Sequence, residues 1–572
     1  VVSGLASDLA EPRSGRGIRS NGSDTTRRLI GDEPMLRTLV GLAAVTLISS
    51  AALAEEPALD GKALFATKSC VACHGRGGAK AIQVFPDLAG QDAKYLLEQM
   101  EAIAKGDRVS GNDARGYPRT QGMKDIMHLV STAERAAIAD YLASGSVPEP
   151  RTLVAGVRRL EAGHWLEWKA GELRIEPWWP LPESLLSAHP DSGFPADSRI
   201  EDREQAVRLT RTALADSVAA HMVSDVPVGL FLSAGLDSAA LLALAPPGLH
   251  TFTIGFDDPG SEGFDESEPA ARIAALFGAE HTALTLRADQ ARQWLPQFLA
   301  SQDQPSIDGF NTWCVSRLAS ERGLKVALSG LGGDELFGGY PSFRTVPRLH
   351  RWRRRLGPLG PLAAAALVRS PGGAGQKRQR LAELLRSTPS LQAAHRCQRG
   401  QFSRPELEAL LRHWGLPLPR DPEGQACRGE PPARLDPADA VAWLEGCRYL
   451  RNQLLPDSDV MAMATALELR LPYVDATLQG QLAPIDPALR LAPAKALLQS
   501  SVPELPQWFT TRPKQGFRFP FQLWLDDTDS PLALRVPSTP AGLDLRPWYR
   551  RWNLMVLQNW LRDHLAIDLP QP

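Results

Sequence analysis

The chain has 572 residues, of which 63 are Lys or Arg and 65 are Asp or Glu, giving a formal net charge of -2. A chain of this length exceeds what one hydrophobic core supports, so we expect two or three domains. Nucleic-acid-binding proteins usually have an excess of Lys and Arg, which this chain lacks, so we expect no nucleic-acid partner. The basic run at 350–355 is interpreted as a solvated helix face. Six cysteines in so long a chain argue against a disulfide framework.

Two segments at the start of the sequence are excluded from the fold prediction. Residues 1–34 are rich in Gly, Ser and Arg and begin without methionine, so we interpret them as a disordered leader or as untranslated upstream sequence. Residues 35–54 have the pattern of a secretory signal peptide, with the basic Arg37, an apolar stretch and an Ala-Leu-Ala cleavage site. A membrane anchor is the alternative, but the apolar stretch is shorter than the roughly 20 residues that a spanning helix needs.

The segment 55–146 predicts a small helical domain with a haem-binding motif. Its helical patterns, the last over 132–143, are separated by loops that contain Gly and Pro. In the Cys-x-x-Cys-His motif, Cys70 and Cys73 would attach haem covalently and His74 would ligate its iron. A zinc site would need further soft ligands nearby, and a thioredoxin-like redox pair would need a preceding strand; the sequence provides neither.

The same segment resembles the class I c-type cytochromes. The matching residues are Gly61, Phe65, the loop at 86–91, Tyr95, Leu96 and the run at 138–142. The resemblance implies an all-α domain, a haem c cofactor, a redox partner and a location outside the bacterial cytoplasm. It also implies a methionine as second axial ligand, which raises the potential of the iron. Met123 is the preferred candidate because it precedes the last helix as the family's ligand does; Met127 is the alternative, and Met100 is expected in the core.

From about residue 201 the sequence alternates helices with short apolar strands. Candidate strands lie at 228–232, 251–256 and 325–328. This alternation predicts a parallel sheet covered by helices. Residues 531–572 are predicted to form a helical C-terminal tail.

Two turns rich in glycine and serine follow two of these strands, and each precedes a predicted helix. The first contains Ser233, Ala234, Gly235, Leu236, Asp237 and Ser238, and the second contains Ser329, Gly330, Leu331, Gly332, Gly333 and Asp334 and runs to Tyr340. Free backbone N–H groups and the helix dipole make each junction an anion site. Neither turn has the Gly-Lys-Ser/Thr ending of a Walker P-loop, which disfavours kinase or GTPase chemistry. Asp237 and Asp334 are candidates to hold one Mg²⁺ together with phosphate oxygens.

The first turn resembles the Ser-Gly-Gly-x-Asp-Ser loop of the ATP pyrophosphatases, and residues 201–530 resemble the synthetase half of glutamine-hydrolysing asparagine synthetases. Three further stretches, 264–268, 459–475 and 512–517, match that family in order and spacing. The resemblance implies an α/β doubly wound parallel sheet with a helical C-terminal part, ATP binding by both turns, and activation of a carboxylate as an acyl-adenylate that ammonia then attacks. It also assigns Lys514 to the α-phosphate and the departing pyrophosphate.

The sequence departs from these families at three places. Ala234 replaces the first glycine of the first turn, and a methyl group is tolerated there only if the residue needs no positive φ angle. Leu331 stands where the family often has a glutamate. The segment 303–308 lacks the Thr-Thr-x-Arg pattern of housekeeping asparagine synthetases. The acceptor is therefore left open between aspartate and the different carboxylate of a paralogue such as a beta-lactam synthetase.

Residues 147–150 contain two prolines and are interpreted as a linker. Over 157–179, apolar and polar residues alternate as in β-strands, with a turn at Ala170 and Gly171. The segment 152–182 resembles the last hairpin of the glutaminase domain that normally precedes this synthetase. The rest of that domain, with its cysteine nucleophile, is replaced here by the cytochrome-like segment. We therefore expect free ammonia as the nitrogen donor.

These patterns lead to one principal hypothesis and one rival. The principal hypothesis is an ATP-dependent, asparagine synthase-like carbon-nitrogen ligase fused to a haem c electron-transfer domain. The rival is a periplasmic electron carrier with an inert ligase portion. The ligase chemistry belongs in the cytoplasm and the haem chemistry in the periplasm, which indicates a chain that spans the membrane or a fusion of two unrelated reading frames.

Overall fold

The computed structural model describes residues 132–154, 156–178, 199–258, 260–261, 263–369, 375–416, 431, 435–512, 519–526, 536–565 and 567–571. The chain divides into two compact units, Val1–Ala89 and Gly90–Pro572, and all the described residues belong to the second. The predicted leader, the predicted signal peptide and several predicted site residues lie outside the described residues; these site residues are Cys70, Cys73, His74, Met123 and Lys514.

The second unit alternates strands and helices along the chain. Its strands are β1 (His164–Lys169), β2 (Glu172–Pro177), β3 (Val228–Phe231), β4 (His250–Phe256), β5 (Glu280–Leu286), β6 (Val326–Leu328) and β7 (Glu468–Arg470). The helices up to the end of β6 are α1 (Thr132–Ser144), α2 (Arg203–His221), α3 (Leu236–Leu244), α4 (Ser267–Leu276), α5 (Ala288–Ala300) and α6 (Phe310–Glu321). Those between β6 and β7 are α7 (Gly333–Phe337), α8 (Ser342–Leu356), α9 (Gly360–Arg369), α10 (Gln376–Arg386), α11 (Leu391–Arg399), α12 (Arg404–His413), α13 (Pro437–Leu444) and α14 (Leu455–Met463). After β7 come α15 (Ala476–Leu482), α16 (Pro487–Arg490), α17 (Ala496–Ser501), α18 (Gln507–Thr510), α19 (Phe521–Asp526) and α20 (Trp548–Leu565). Among the described residues, no helix combines the length and the apolar character that crossing a membrane requires.

Strands β3 to β7 form one parallel sheet in the order β5-β4-β3-β6-β7. The chain therefore runs outward from β3 to β5 on one side and then returns to the other side for β6 and β7. β3 and β6 are neighbours, with Val228 opposite Val326 and Leu230 opposite Leu328. Such a reversal of strand order opens a crevice at the carboxyl ends of the two central strands, where ligands bind in doubly wound folds. The predicted parallel sheet is confirmed.

Alternate residues of the central strands enter two different cores. Val326 and Leu328 pack in a cluster that includes side chains of α2, α3 and α17. Ala327 belongs to the other cluster, which includes side chains of α5, α6 and α20. Successive side chains of a strand point to opposite faces, so both faces of the sheet are buried. This burial explains why the central strands β3 and β6 appear in the sequence as unbroken apolar runs.

Helix α1 packs into the core that contains α5, α6 and α20. A helix was predicted over 132–143 as the last of the cytochrome-like segment. Ile138, Tyr141 and Leu142 are at most 1% exposed and belong to this core. The Tyr141 hydroxyl donates a hydrogen bond of 2.8 Å to the backbone carbonyl of Asn553 in α20. Helix α1 is therefore an integral part of the unit that contains the sheet.

Strands β1 and β2 form the predicted antiparallel hairpin. Ala170 and Gly171 in its turn have φ angles of 51° and 88°, which is the conformation that tight two-residue hairpin turns favour. Large apolar side chains on this hairpin are exposed, namely Leu166, Trp168, Leu173, Ile175 and Trp178. The hairpin therefore adds little to the two cores.

The basic run at 350–355 lies at the end of α8. Its interpretation as a solvated face is wrong for Arg353, which is 6% exposed. The Arg353 guanidinium donates to the carbonyl of Ser387 at 3.1 and 2.8 Å and to the carbonyl of Gly357 at 2.8 Å. Because these bonds join the end of α8 to the segment after α10, Arg353 has a structural role.

Candidate active site at the carboxyl edge of the sheet

The first predicted turn, 233–238, connects β3 to α3 at the carboxyl edge of the sheet. The Ser238 hydroxyl accepts a hydrogen bond from the Ser233 N–H at 3.2 Å and lies 3.1 Å from the Ser233 hydroxyl, which holds the turn closed. The N-cap residue of α3 is Gly235, and no side chain caps the helix there. The N–H groups of a first helical turn have no partner within the helix. Ala234 is not among the residues with a positive φ angle, so its methyl group is compatible with the turn.

The second predicted turn, 329–340, leaves β6 beside the first. Gly332 has a φ angle of 91°, a conformation that favours glycine. Gly330 and Gly333 lie against Asp237 of the first turn: a Cβ atom on Gly330 would lie 3.0 Å from the Asp237 Cβ, and one on Gly333 would lie 2.6 Å from the Asp237 Oδ1. Glycine is required at both positions because the two turns are in contact.

Asp237 and Asp334 meet at the side chain of Lys495. The Lys495 Nζ lies 2.6 Å from the Asp334 Oδ1 and donates to both carboxylate oxygens of Asp237. Lys495 is 4% exposed. Burial acts to lower the pKa of Lys495, but the two carboxylates outweigh this effect and raise the pKa above its ordinary value. The two aspartates predicted to act together are thus brought together around a buried ammonium group.

Lys495 is held in an unusual backbone conformation. Its φ and ψ angles are 55° and 43°, and Ala494 has a φ angle of 58°. Left-handed residues other than glycine cost roughly 1–3 kcal/mol each and cluster at functional sites. Lys495 was not among the residues predicted from the sequence, in which Lys514 was the candidate for a positioned lysine. A signal was present, because Lys495 is the one charged residue in the apolar run 491–498.

Two of the stretches that matched the family pattern also contact the first turn. Tyr473, from the stretch 459–475, is fully buried and donates from its hydroxyl to the carbonyl of Asp237 at 3.0 Å. Glu266, from the stretch 264–268, accepts a hydrogen bond of 3.3 Å from the Ala234 N–H. Burial raises the pKa of Glu266. These contacts fix the position of the first turn from two directions.

The comparison with known families agrees with this geometry. Residues 209–539 match the family described as asparagine synthase. The chain belongs to the asparagine synthase family. Residues 58–146 match the family described as cytochrome c. The asparagine synthase family implies the use of ATP, and the cytochrome c domain implies haem.

Curated relatives of this asparagine synthase family member match up to 70% of its length. A protein named putative asparagine synthetase (glutamine-hydrolysing), from Mycobacterium tuberculosis, is 33% identical over 420 residues, which is 70% of this chain and 61% of that protein. A Bacillus subtilis protein named asparagine synthetase (glutamine-hydrolysing) 1 is 29% identical over 400 residues, covering 68% of this chain and 60% of that protein. An amidase of Penicillium rubens is 29% identical over 221 residues, covering 34% of this chain and 30% of that protein. The chain therefore spans about three fifths of the length of the first two relatives.

A buried polar group supports the second turn of the asparagine synthase site. Glu335 is 6% exposed and accepts a hydrogen bond of 2.9 Å from the Tyr340 hydroxyl. Burial raises the pKa of Glu335 to about 8, so this carboxyl is neutral at pH 7. The Arg399 guanidinium lies 4.4 Å from the ring centre of Tyr340 and 4.0 Å from that of Tyr449. It also pairs with Glu445, at 2.8 Å between Nη2 and Oε2. Tyr340, at the end of the second turn, is thus held by its stacking against Arg399, which is itself paired with Glu445.

Proposed function

We propose that the asparagine synthase region is an ATP-dependent amide-forming ligase that activates a carboxylate by adenylylation. The observation that supports this most strongly is the buried Lys495, fixed between Asp237 and Asp334 at the crevice where two strand-turn-helix junctions meet. A cation that is already in position can stabilise charge that develops on a departing pyrophosphate without further reorganisation.

The proposed reaction has two steps. An acceptor carboxylate oxygen attacks the α-phosphorus of ATP, the bond from that phosphorus to the bridging oxygen breaks, and pyrophosphate leaves. Ammonia then attacks the acyl carbon, the carbon-oxygen bond to AMP breaks, and the amide forms with loss of a proton. In this scheme the N–H groups and hydroxyls of the turn 233–238 bind phosphate oxygens. Lys495 neutralises the leaving group, and Lys514 is proposed to meet the α-phosphate.

Magnesium is proposed to bind at Asp237 and Asp334. Both carboxylates contact the Lys495 Nζ, and because a carboxylate has about four lone-pair sites, each can also contribute an oxygen to Mg²⁺. Mg²⁺ in nucleotide sites takes one or two carboxylates together with phosphate oxygens. The donor set therefore fits this metal. When bound, Mg²⁺ would supply further charge neutralisation at the phosphates.

Ammonia is proposed as the nitrogen donor, and aspartate or a related carboxylate as the acceptor. The support for ammonia is that residues 58–146, which directly precede the segment with the hairpin β1–β2, match the cytochrome c family. The support for a carboxylate acceptor is membership of the asparagine synthase family and the names of its relatives.

ATP-pyrophosphate exchange with aspartate and related carboxylates tests the activation step without requiring ammonia. Asp237→Asn keeps the size of the side chain and removes its charge, so we expect exchange to fall by roughly a hundredfold, as for other preorganised charge stabilisers. Asp216→Asn, at an exposed position on α2, is the matched control. The proposal is wrong if no carboxylate supports exchange, or if Asp237→Asn exchanges as fast as the parent.

We also propose that the cytochrome c domain carries haem c and passes electrons to a redox partner. The support is the family match at 58–146 and the attachment motif of Cys70, Cys73 and His74, with Met123 as the proposed second ligand. Protein made with a cytochrome maturation system should retain its haem through acid-acetone extraction. Complete release of haem in that extraction would exclude covalent attachment.

A further inference from the structure

A cavity of about 600 Å³ lies between α1, α6, α11 and α20. Ligand cavities in proteins typically measure about 300–1,000 Å³, so this one has the size of a small-molecule site, and a four-carbon amino acid would leave most of it empty. Aromatic side chains form much of its wall, namely Phe310, Tyr449, Phe519, Phe521, Trp548 and Tyr549. Such a wall suits a flat or apolar body.

The cavity adjoins the second turn of the active site. Arg399 lines the cavity and lies 4.4 Å from the ring centre of Tyr340, the last residue of that turn. Tyr449, also on the wall, has its ring centre 5.9 Å from that of Tyr340. Tyr340 in turn donates to Glu335, the neighbour of Asp334. A molecule in the cavity would therefore lie beside the turn that carries half of the proposed pyrophosphate site.

Most of the charged groups on the cavity wall already have partners. The arginines with partners are Arg380, Arg396, Arg399, Arg404 and Arg448. Two wall carboxylates are also engaged: Asp140 pairs with Arg151, and Glu383 accepts from the Arg404 N–H at 3.1 Å. These groups are committed to holding the wall in shape.

Asp308 differs from the other charged groups on this wall. Its Oδ1 accepts a hydrogen bond of 2.9 Å from the Gly309 N–H, and within the described part of the chain no Lys, Arg or His side chain pairs with it. The nearby Asp457 accepts a hydrogen bond of 2.6 Å from the Ser306 hydroxyl, and its burial, with the charge of Asp308, raises the pKa of Asp457 well above its ordinary value. This end of the cavity therefore favours a cation and disfavours a second carboxylate.

We infer that the acceptor of this ligase is a carboxylic acid larger than aspartate, with an aromatic or similarly flat body and an amine that binds as a cation at Asp308. The inference rests on the proposed ligase function and specifies its substrate class. Aspartate also carries an ammonium group, but it fills little of the cavity and brings a second carboxylate towards Asp308. The aromatic wall would hold the body, and Asp308 would orient the acid towards the second turn.

The test compares three acids in ATP-pyrophosphate exchange with the purified full chain: 4-(aminomethyl)benzoate, 4-methylbenzoate, which lacks the amine, and aspartate. We expect 4-(aminomethyl)benzoate to support exchange with at least tenfold higher efficiency than either of the others. Asp308→Asn should reduce the preference for 4-(aminomethyl)benzoate over 4-methylbenzoate by at least tenfold. Asp303→Asn, at an exposed position nearby, is the matched control and should leave that preference unchanged.

Calorimetric titration of the same protein with 4-(aminomethyl)benzoate separates this inference from the proposed function. Ala143→Trp introduces a large side chain at a residue that lines the cavity and should weaken binding at least tenfold. If no acid supports exchange but the compound binds and Asp308→Asn weakens its binding, the ligase proposal fails and the cavity assignment stands. If aspartate is the best substrate, or if 4-(aminomethyl)benzoate binds equally well to the parent, Asp308→Asn and Ala143→Trp, the inference is wrong.

Discussion

Lys495 combines three properties that seldom occur in one residue: it is charged, buried and in a left-handed backbone conformation. Burial of a charge and a left-handed backbone at a residue other than glycine are each unfavourable for folding. The ion pairs with Asp237 and Asp334 offset the cost of burying the ammonium group, and they fix the position of Nζ within the crevice. We therefore regard Lys495 as the residue on which charge stabilisation in this site depends.

The first prediction follows from that role. Lys495→Met should lower ATP-pyrophosphate exchange by roughly a hundredfold or more, because it removes a positioned cation. It also leaves two like-charged carboxylates facing each other, so the midpoint of thermal unfolding should fall. Lys325→Met, at an exposed position before β6, is the control and should change neither property. Exchange at the parent rate in Lys495→Met would contradict the role assigned here.

The second prediction concerns Glu335 and pH. The pKa of this carboxyl is raised from 4.5 to about 8, so its contribution to stability is fully present below its unfolded-state pKa and is lost as the pH rises through about 8. Glu335→Gln keeps an acceptor for the Tyr340 hydroxyl and removes the titration. The fall in unfolding temperature between pH 5 and pH 9 should therefore be smaller in Glu335→Gln than in the parent. Glu201→Gln, at an exposed position, should follow the parent; identical curves for all three proteins would refute the prediction.

Residues within the turns could be predicted from the sequence, whereas the contact of Lys495 with the two aspartates could not. The turns are recognisable because glycine, serine and aspartate follow an apolar strand within a few positions, which is local information. Lys495 is separated from Asp237 by 258 positions, and nothing local shows that they meet. The error at Arg353 has the same origin, since its partner Ser387 lies 34 positions away on another element.

At the scale of elements, α1 links the two family matches. It falls within the cytochrome c match at 58–146, yet its apolar residues pack in the core that contains α5, α6 and α20. The Gln401 N–H also donates to the carbonyl of Ala143 near the end of this helix, at 2.8 Å. The domain boundary proposed at residue 146 therefore separates α1 in sequence from α5, α6 and α20, although α1 packs in the same core as these helices.

The third prediction tests whether α1 stabilises the synthase core. Leu142 is fully buried, so Leu142→Ala should lower the free energy of unfolding by about 2–5 kcal/mol, measured by urea denaturation with tryptophan fluorescence. Leu166→Ala on the hairpin makes the same change at a side chain that is 48% exposed, and it should cost less than about 0.5 kcal/mol. An unchanged transition for Leu142→Ala would show that α1 does not belong to this core.

The strands were predictable as elements, but their order was not. Runs of buried apolar residues indicate strands covered on both faces, and β3, β4 and β6 lie within one residue of the predicted segments at 228–232, 251–256 and 325–328. The order β5-β4-β3-β6-β7 depends on which strands pair across long stretches of sequence. A parallel sheet could be inferred; the crevice between β3 and β6 could not be located without the structure.

At the scale of the molecule, the family matches assign residues 58–146 and 209–539 to two different kinds of chemistry. The domain boundaries proposed from the sequence, at 55–146, 152–182 and 201–530, stay predictions, as do the leader at 1–34 and the signal peptide at 35–54. The next prediction tests the proposal that ammonia supplies the nitrogen.

The fourth prediction is that amide formation uses ammonium and ignores glutamine. Reactions with ¹⁵N-labelled ammonium should give labelled amide, and reactions with glutamine labelled in its side-chain amide should give none. The physical reason is that glutamine hydrolysis needs an activated nucleophile, whereas burial raises the pKa of the Cys314 thiol and raises that of the Cys397 thiol to about 11. Glutamate that accumulates in proportion to the amide product would contradict this prediction.

The reversal of strand order also has a kinetic consequence. Pairing of β3 with β6 joins residue 228 to residue 326, and pairing of β6 with β7 joins residue 326 to residue 468. Contacts between residues so far apart in the chain form slowly, because a large loop must close before any interaction repays its entropy. During synthesis the first turn leaves the ribosome long before Lys495 does, so Asp237 and Asp334 must wait for their shared cation. The proposed active site is thus among the last regions to become native, and after denaturation the recovery of ATP-pyrophosphate exchange should lag behind the recovery of helical circular dichroism.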